Sequence, residues 1–366
     1  MRILHVVGAR PNFMKAAPVF RALASHSCVN QILVHTGQHY DVNMSDVFFA
    51  HLGMPQPDVN LAVGSRSHAG QTAEVMQRLE PVVIEQKPDW VLVYGDVNST
   101  MAAALVCAKL RVPVAHVEAG LRSRDRTMPE EINRLVTDCV CDLLFTPSAD
   151  GDENLIREGV PAEKIHLVGN VMIDTLVALL PEAEHRWESD RFKIGGAEVA
   201  KQDYALVTLH RPSSVDESAT LAGIVKALGE IAQRIPVLFP VHPRTRSRLD
   251  CLNLQSTISN LQLTEPLGYL DFLALERHAR LVITDSGGVQ EETTYLQVPC
   301  LTVRENTERP ITITMGTNCL VGRDPEKLKW NATRILSGDV KKGTCPPLWD
   351  GQAARRIADF LVGGGF

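Results

Sequence analysis

Acidic residues recur in the sequence directly after short apolar segments that are typical of buried β-strands. Asp96 follows WVLVYG, Glu118 follows VPVAHV, and Glu130 begins the next predicted helix in MPEEINR. Neighbouring carboxylates of this kind can remove a proton from one face of a carbon atom and return one to the other. The structural alternative is that these acids cap helices and that Glu131 is a favourable first-turn charge. Asp96 and Glu118 lie at the ends of consecutive predicted strands, and this position favours the catalytic interpretation for both. Glu131 is better explained as a structural residue.

A second group of residues is suited to binding a diphosphate. The segment DSGGVQEE places Ser286, Gly287 and Gly288 between a predicted strand and a helix. Free backbone N–H groups and the helix dipole attract anions there, and glycine allows a ligand close to the backbone. Glu292, one turn further, could accept hydrogen bonds from ribose. The alternative is an ordinary strand–turn–helix that needs glycine for its turn.

Positive charge follows the first predicted strand. Arg10 and Lys15 lie in GARPNFMK, which lacks the glycine spacing of a dinucleotide fingerprint or a P-loop. NAD-dependent chemistry is therefore disfavoured. A solvated helix start is the alternative, but cations at a helix N-terminus oppose its dipole, which favours an anionic partner.

Further candidates lie in the second half of the chain. His210 and His242 follow predicted strands, where an imidazole could contact phosphates or a leaving oxygen, although an isolated His242 is commonly structural. Arg309 follows another strand, in TERP. Phe272 could wall a base pocket or belong to the core.

No metal is expected in this protein. The segment HTGQH has His–x3–His spacing, but it reads as a strand followed by a turn with no third ligand nearby.

Apolar strand-like segments alternate with helical patterns along the whole chain. This β-α-β order predicts an α/β fold with parallel sheets. Between two of the strands, NSTMAAALVCAKL is a predicted helix capped by Asn98 or Ser99. Residues 172–203 are charged and contain Gly195 and Gly196, so they are predicted to be a linker between two doubly wound domains. Ligands bind at the carboxyl ends of strands in such sheets, so the candidates should meet at a cleft between the domains.

Composition limits the classes of partner. The chain has 366 residues and a net charge of −6, which gives no electrostatic reason to bind nucleic acid. Its eight cysteines are scattered, with no CxxC pair, which is typical of a reduced cytoplasmic protein. No segment is long enough to span a membrane.

Taken together, GARPNFMK, TGQHYD, GDVNST, HVEAGLRS, MPEEINR, TLHR, DSGGVQEE and TERP resemble one family, the non-hydrolysing UDP-N-acetylglucosamine 2-epimerases. The resemblance extends to the closing helix, GQAARRIADFL. It implies two Rossmann-like domains in the GT-B arrangement, with a UDP-sugar bound between them. The domains would be 1–172, joined by a C-terminal helix at 351–366, and 173–350. A homodimer without metal or redox cofactor is expected.

The resemblance also implies a reaction and roles for the candidates. UDP would leave C1 while the C2 proton is removed, which gives 2-acetamidoglucal; re-addition with protonation of the other face would give UDP-N-acetylmannosamine. Asp96, Glu118 and Glu130 would carry the proton chemistry, with Glu118 as the C2 base. His210 would support the leaving diphosphate. The residues expected to hold the substrate are Arg10, Lys15, His242, Phe272, Ser286, Gly287, Gly288, Glu292 and Arg309.

Several alternatives remain open at this point. GARPNF and MPEEINR also resemble relatives that act on UDP-2,3-diacetamido-glucuronic acid. TGQHYDVNMSD differs from the glutamine-bearing segment that binds an activating second UDP-N-acetylglucosamine in some members, so such activation is not expected. A GT-B glycosyltransferase and a non-catalytic nucleotide-sugar sensor would share the fold.

Overall fold

The computed structural model describes residues 1–37, 52–189, 193–194, 197–198, 202–251 and 260–363. Two units make up the chain, Met1–Thr175 with Pro347–Phe366 and Leu176–Pro346. No helix in these ranges is both long enough and apolar enough to cross a membrane.

The first unit is built on a parallel sheet of seven strands. They are β1 (Arg2–Val7), β2 (Asn30–His35), β3 (Val59–Asn60), β4 (Trp90–Tyr94), β5 (Val114–Val117), β6 (Leu143–Thr146) and β7 (Ile165–Leu167). Their order across the sheet is β3-β2-β1-β4-β5-β6-β7. All five residues of β4 are buried, as expected for a central parallel strand covered by helices on both faces.

Helices connect these strands. They are α1 (Arg10–Ala24), α2 (His68–Gln86), α3 (Asn98–Leu110), α4 (Pro129–Val140), α5 (Ala149–Arg157) and α6 (Val171–Glu188), with a 3₁₀ turn at Ala162–Lys164.

The second unit repeats this plan. A short antiparallel pair, β8 (Lys193–Ile194) and β9 (Ala197–Glu198), precedes it. The main strands are β10 (Ala205–Thr208), β11 (Val237–Pro240), β12 (Gln262–Thr264), β13 (Leu281–Thr284), β14 (Cys300–Thr302) and β15 (Asn318–Leu320). They form a parallel sheet in the order β12-β11-β10-β13-β14-β15.

The remaining helices are α7 (Pro212–Val215), α8 (Ser218–Ile231), α9 (Pro243–Asp250), α10 (Tyr269–His278), α11 (Gly287–Leu296), α12 (Ile311–Thr314), α13 (Pro325–Leu336) and α14 (Ala353–Gly363). In each sheet the strand order reverses beside the first strand of the unit, between β1 and β4 and between β10 and β13. Loops diverge at such a reversal and leave a crevice at the carboxyl ends of the strands, where ligands bind.

The last helix of the chain belongs to the first unit. Helix α14 packs against α1, and the Asp174 carboxylate accepts hydrogen bonds from the amides of Ala353 (3.1 Å) and Ala354 (2.7 Å). Just before α14, the Trp349 indole donates to the Pro147 carbonyl at 2.9 Å. An acid at the helix start satisfies amides that have no partner within the helix.

The boundary between the two units, at Thr175 and Leu176, lies within the predicted linker at 172–203. The linker is helical up to Glu188, because α6 continues from the first unit into the second; Gly195 and Gly196 lie outside the described residues. The predicted cap of α3 is wrong, since Val97 occupies the cap position and Asn98 begins the helix. The Asn98 side chain instead hydrogen-bonds Gln71 at 2.8 Å.

Glu131 organises the loop between β5 and α4. Its carboxylate accepts from the amides of Ser123 (2.9 Å) and Arg124 (2.8 Å) and pairs with the Arg134 guanidinium at 2.6 Å. Burial acts to raise the pKa of Glu131, but these hydrogen bonds and the Arg134 charge outweigh it, so the pKa lies below its ordinary value. The carboxylate therefore fixes the loop that follows Glu118.

The lowered pKa gives Glu131→Gln a pH-dependent cost. A depressed carboxyl pKa stabilises the fold above the unfolded-state value, near 4.5, and this stabilisation is lost as pH falls through the folded-state value. Urea unfolding at pH 7 should show a loss of about 2 to 4 kcal/mol for the variant. The difference from the wild type should shrink below pH 4.5; a gap that widens in acid would contradict this prediction.

A glycine just after Glu118 allows a close backbone approach. Gly120 has a φ of +81°, and a Cβ there would lie 2.5 Å from the Gly151 carbonyl oxygen. Gly159 is a matched control, because its φ is +82° and nothing lies within 4 Å of its Cβ position. Gly159→Ala should cost about 1 kcal/mol from backbone strain alone. Gly120→Ala should lower the urea midpoint of unfolding by more than Gly159→Ala does, because its Cβ also collides with the Gly151 carbonyl oxygen. Equal midpoints for the two variants would contradict the steric explanation.

Candidate active site

Lys15 and Glu118 form a buried ion pair in the first unit. Lys15 lies on α1 and Glu118 directly follows β5; the Lys15 ammonium contacts Glu118 Oε2, and both residues are 5% exposed. Glu118 has a φ of +75°, which costs a residue with a side chain about 1 kcal/mol or more and is typical of functional sites. The backbone therefore directs this carboxylate toward Lys15 at a conformational cost.

Gly95 provides the space for this pair. Its φ is +62°, and a Cβ there would lie 2.5 Å from Lys15 Nζ and 3.1 Å from Glu118 Oε2. Gly95 was not among the sequence-predicted site residues, although a glycine between a buried strand and an acid is the pattern that would have identified it.

Asp96, the next residue, is held by α4. The Arg134 guanidinium pairs with its carboxylate, whose side chain is 25% exposed. The Asn133 side-chain amide donates to the Asp96 carbonyl at 2.9 Å. Asp96 therefore does not cap α3; it faces a partly open space with a cation beside it.

A pocket of about 310 Å³ opens at this point of the first unit. Asp96 and Glu130 both line it, and Glu130 is half-buried. The other lining residues are Ser65, Arg66, His68, Gln71, Val97, Asn98, Pro129 and Asn133. The structure thus brings two of the three predicted acids to one pocket, and the third, Glu118, lies beside Gly95 rather than in the lining.

A buried ionic network that was not predicted from the sequence supports these acids. Nε2 of His116 donates to the Gly95 carbonyl at 2.8 Å, and Nδ1 lies 2.6 Å from Asp138. Arg122 pairs with the same carboxylate at 2.7 Å. Burial acts to raise the pKa of Asp138, but the His116 ring and the Arg122 charge hold it below its ordinary value. The only sequence signal was a histidine two residues before Glu118 in an apolar strand.

In the second unit, His210 and Arg211 follow β10 and are anchored by Asp285. The amide of His210 donates to Asp285 at 3.0 and 3.1 Å, and the amide of Arg211 donates at 2.8 Å. Asp285 is the first residue of the segment DSGGVQEE and was not among the sequence-predicted site residues.

His242 lies next to His210. Its Nδ1 accepts from the Arg244 amide at 3.2 Å and caps α9, and the two imidazole centroids are 5.9 Å apart. Burial, then the charges of His210 and Arg244, lower the pKa of His242, although Asp285 opposes them. A structural role as a cap therefore accompanies any contact that His242 makes with substrate.

The predicted phosphate loop lies at the start of α11. Ser286 occupies the cap position with an extended backbone, and its side chain makes no cap hydrogen bond. A Cβ on Gly287 would lie 2.5 Å from Arg309 Nη1, so a side chain at this position would displace the guanidinium from the helix start. Gly288 is half-buried. Helix dipole and guanidinium coincide here, an arrangement suited to anions.

Arg309 belongs to a cationic cluster. It pairs with Glu291 at 2.7 Å and with Glu308 at 2.6 Å. Arg304 also pairs with Glu308, at 2.8 Å, and Arg211 lies 3.9 Å from the same carboxylate. Three arginines thus surround two glutamates beside the start of α11.

Glu292 is buried and shares its surroundings with another acid. The Tyr269 hydroxyl donates to Glu292 Oε1 at 2.7 Å. Burial raises the pKa of Glu292 to about 7, although the hydrogen bonds from Tyr269 and Glu276 oppose this rise. Burial also raises the pKa of Glu276, which is fully buried, well above its ordinary value. Such a pair retains a proton at neutral pH. Phe272 lies half-buried on the same helix as Glu276.

Two expectations fall partly outside the described residues. Arg10 begins α1, but its side chain is not described; likewise His39 and residues 38–46 of the segment compared with activator sites lie outside the described ranges. In the part of the chain that is described, no group of three His, Cys, Asp or Glu residues could hold a metal ion.

Comparison with known proteins gives matches over the full chain. The sequence model of the family described as UDP-N-acetylglucosamine 2-epimerase matches residues 21–362. A Methanocaldococcus jannaschii protein named UDP-N-acetylglucosamine 2-epimerase is 42% identical over 369 residues, which cover 100% of both chains. A Pseudomonas aeruginosa protein named UDP-2,3-diacetamido-2,3-dideoxy-D-glucuronate 2-epimerase is 42% identical over 366 residues, which cover 99% of each chain.

A solved structure supports the same assignment. The crystal structure of the Methanocaldococcus jannaschii UDP-GlcNAc 2-epimerase in complex with UDP-GlcNAc and UDP has a TM-score of 0.89 and 41% identity, over 100% of both chains. The predicted α/β fold with two Rossmann-like units of the GT-B class is confirmed. The chain belongs to the UDP-N-acetylglucosamine 2-epimerase family.

Proposed function

We propose that this protein interconverts UDP-N-acetylglucosamine and UDP-N-acetylmannosamine by epimerisation at C2. The observation that carries the proposal is the set of acids at the strand ends of the first unit, each held by a cation or open to one pocket, in a member of this family. Proton removal and return at one carbon need two positioned acid–base groups.

In the proposed reaction, the bond between C1 and the diphosphate oxygen breaks while a carboxylate takes the C2 proton. The bonding electrons of C1–O leave with UDP, and those of C2–H form the double bond of 2-acetamidoglucal. UDP then adds back to C1, and C2 receives a proton on the opposite face. Glu118 is the proposed base, with Asp96 and Glu130 as the other proton-carrying groups.

Lys15 has two roles in this proposal. In the unliganded protein it compensates the buried charge of Glu118, which would otherwise be costly. A bound diphosphate offers the same ammonium a second anionic partner. Arg10, whose backbone begins the same helix, is proposed to contact phosphate or sugar.

The second unit is proposed to hold the nucleotide. Departure of UDP concentrates charge on phosphate oxygens, and preorganised donors stabilise such charge. Ser286, Gly287 and Gly288 supply backbone donors, and Arg309 and His210 supply side-chain donors. Further contacts are proposed for His242 with phosphate, Phe272 with uracil and Glu292 with ribose.

A second substrate is supported by one comparison. The Pseudomonas aeruginosa relative is as similar to this chain as the archaeal one, and its name gives a diacetamido-glucuronate substrate. The same proton chemistry would serve both sugars, since the reacting carbon is C2 in each.

Cytoplasmic location and a homodimer complete the proposal. Burial raises the pKa of Cys107 and Cys300 to about 12, so these thiols are inert apolar groups, as in reduced proteins. The homodimer rests on the family resemblance.

Proton NMR tests the reaction directly. UDP-N-acetylglucosamine incubated with the protein alone should develop the anomeric signal of the manno isomer, with traces of free UDP and 2-acetamidoglucal. A parallel incubation with the diacetamido-glucuronate substrate compares kcat/KM for the two sugars. An unchanged spectrum for both, or UDP release only after an acceptor is added, would overturn the proposal in favour of a sensor or a glycosyltransferase.

Substitution of the acids should separate catalytic from peripheral carboxylates. Glu118→Gln, Asp96→Asn and Glu130→Gln should each lower kcat by about 10²- to 10⁴-fold, because each removes a proton-transferring or charge-stabilising group. The control is Glu153→Gln, since this exposed acid pairs only with Arg157 at 3.1 Å among its described contacts. Full activity in Glu118→Gln, or an equal loss in the control, would contradict the assignment.

A further inference from the structure

Asp285 is a completely buried acid at the end of β13. Its exposed fraction is 0%, although the sequence places it beside Ser286 in the proposed phosphate loop. Burying a carboxylate is costly unless hydrogen bonds or opposite charges compensate it. Its partners therefore indicate why the acid is present.

Each described hydrogen bond of Asp285 comes from the segment that follows β10. Oδ1 lies 3.1 Å from the His210 amide and 3.1 Å from Nδ1 of the same residue. Oδ2 accepts from the amides of His210 at 3.0 Å and Arg211 at 2.8 Å. One carboxylate thus holds both the backbone and the ring of His210.

The ring contact determines which nitrogen of His210 carries hydrogen. Burial acts to raise the pKa of Asp285, but the ring and the two amides hold it below its ordinary value, so the group is a carboxylate at neutral pH. A carboxylate only accepts hydrogen bonds, so the 3.1 Å contact favours a hydrogen on Nδ1 of His210. The other nitrogen, Nε2, is then left for a ligand, and the His210 side chain is 39% exposed.

We propose that Asp285 is a positioning residue that fixes the orientation and Nδ1–H form of His210, so that Nε2 addresses the diphosphate oxygen on which charge develops as UDP departs. This inference rests on the proposed function. Asp285 does not touch substrate; it acts through His210. When the ring carries a hydrogen on Nε2 as well, that N–H can donate to the same oxygen.

The groups around His210 fit this role. His242 faces its ring with a centroid distance of 5.9 Å and uses Nδ1 to cap α9. The neighbouring Arg211 guanidinium lies toward Glu308, at 3.9 Å. Asp285 is therefore the one described carboxylate paired with the His210 ring.

A double-mutant cycle tests whether Asp285 acts through His210. Asp285→Asn should lower kcat about 10- to 100-fold with little change in KM, as for other groups that orient a functional histidine. In a His210→Ala background the same substitution should change kcat less than about threefold, because the group it positions is absent. The proposal would be overturned if the fold-loss in kcat of the double variant equalled the product of the fold-losses of the two single variants.

A matched control is Asp339→Asn. Asp339 is also in the second unit and pairs with Arg334 at 2.6 Å, but its side chain is 60% exposed. Its kcat should equal that of the wild type.

A measurement on the unaltered protein covers the case in which Asp285→Asn does not fold. Nitrogen-15 NMR of the imidazoles, with His210 assigned by comparison with His210→Ala, should show a protonated Nδ1 across the neutral range. A neutral His210 ring that carries its hydrogen on Nε2 would overturn the proposal. Absence of wild-type turnover would instead overturn the proposed function, whereas turnover that Asp285→Asn leaves unchanged would overturn only the role of Asp285.

Discussion

A buried carboxylate has to be paired, and this constraint shapes the candidate site in both units. In the first unit, Glu118 forms an ion pair with Lys15 at the end of β5, and Asp138 forms ion pairs with His116 and Arg122. An unpaired charge at these depths would cost several kcal/mol. The pairs therefore fix where the loops after the strands can run, and the loops in turn place Asp96 and Glu118.

The second unit meets the same constraint with backbone amides, a histidine ring and arginines. Asp285 is satisfied by backbone amides and a histidine ring, whereas Glu291 and Glu308 are surrounded by arginines. The Arg309 guanidinium lies at the start of α11, where the helix dipole also favours anions. In the proposed function, the paired acids of the first unit carry the proton chemistry and this helix start holds the diphosphate.

Much of the fold could be predicted from the sequence, because apolar strands and intervening helices differ in period and length. The continuous apolar segments located the main strands of both sheets, and the GT-B fold class is confirmed. The predicted linker contains the boundary between the units, but its helical structure was not recognised, because its charged residues are typical of a loop. The local pattern of charged and apolar residues does not show that one helix continues from the first unit into the second.

The candidate site was predictable only where chain position determines it. Polar residues that come directly after a predicted strand could be identified from the sequence, and their individual roles stay predictions. The partners could not be found in this way: Arg134 is 38 residues from Asp96, and Asp285 is 75 residues from His210. Glu276 was missed for the same reason, since only folding brings its buried carboxyl to Glu292.

The central claim is that carboxylates of the first unit exchange the proton at C2 of the sugar. The most direct measurement is the isotope content at C2 after reaction of UDP-N-acetylglucosamine in D2O, read by proton NMR and mass spectrometry. The account predicts that the manno product carries deuterium at C2 from the earliest turnovers and that Glu118→Gln abolishes this incorporation. Epimerisation with the original hydrogen retained at C2 would contradict it.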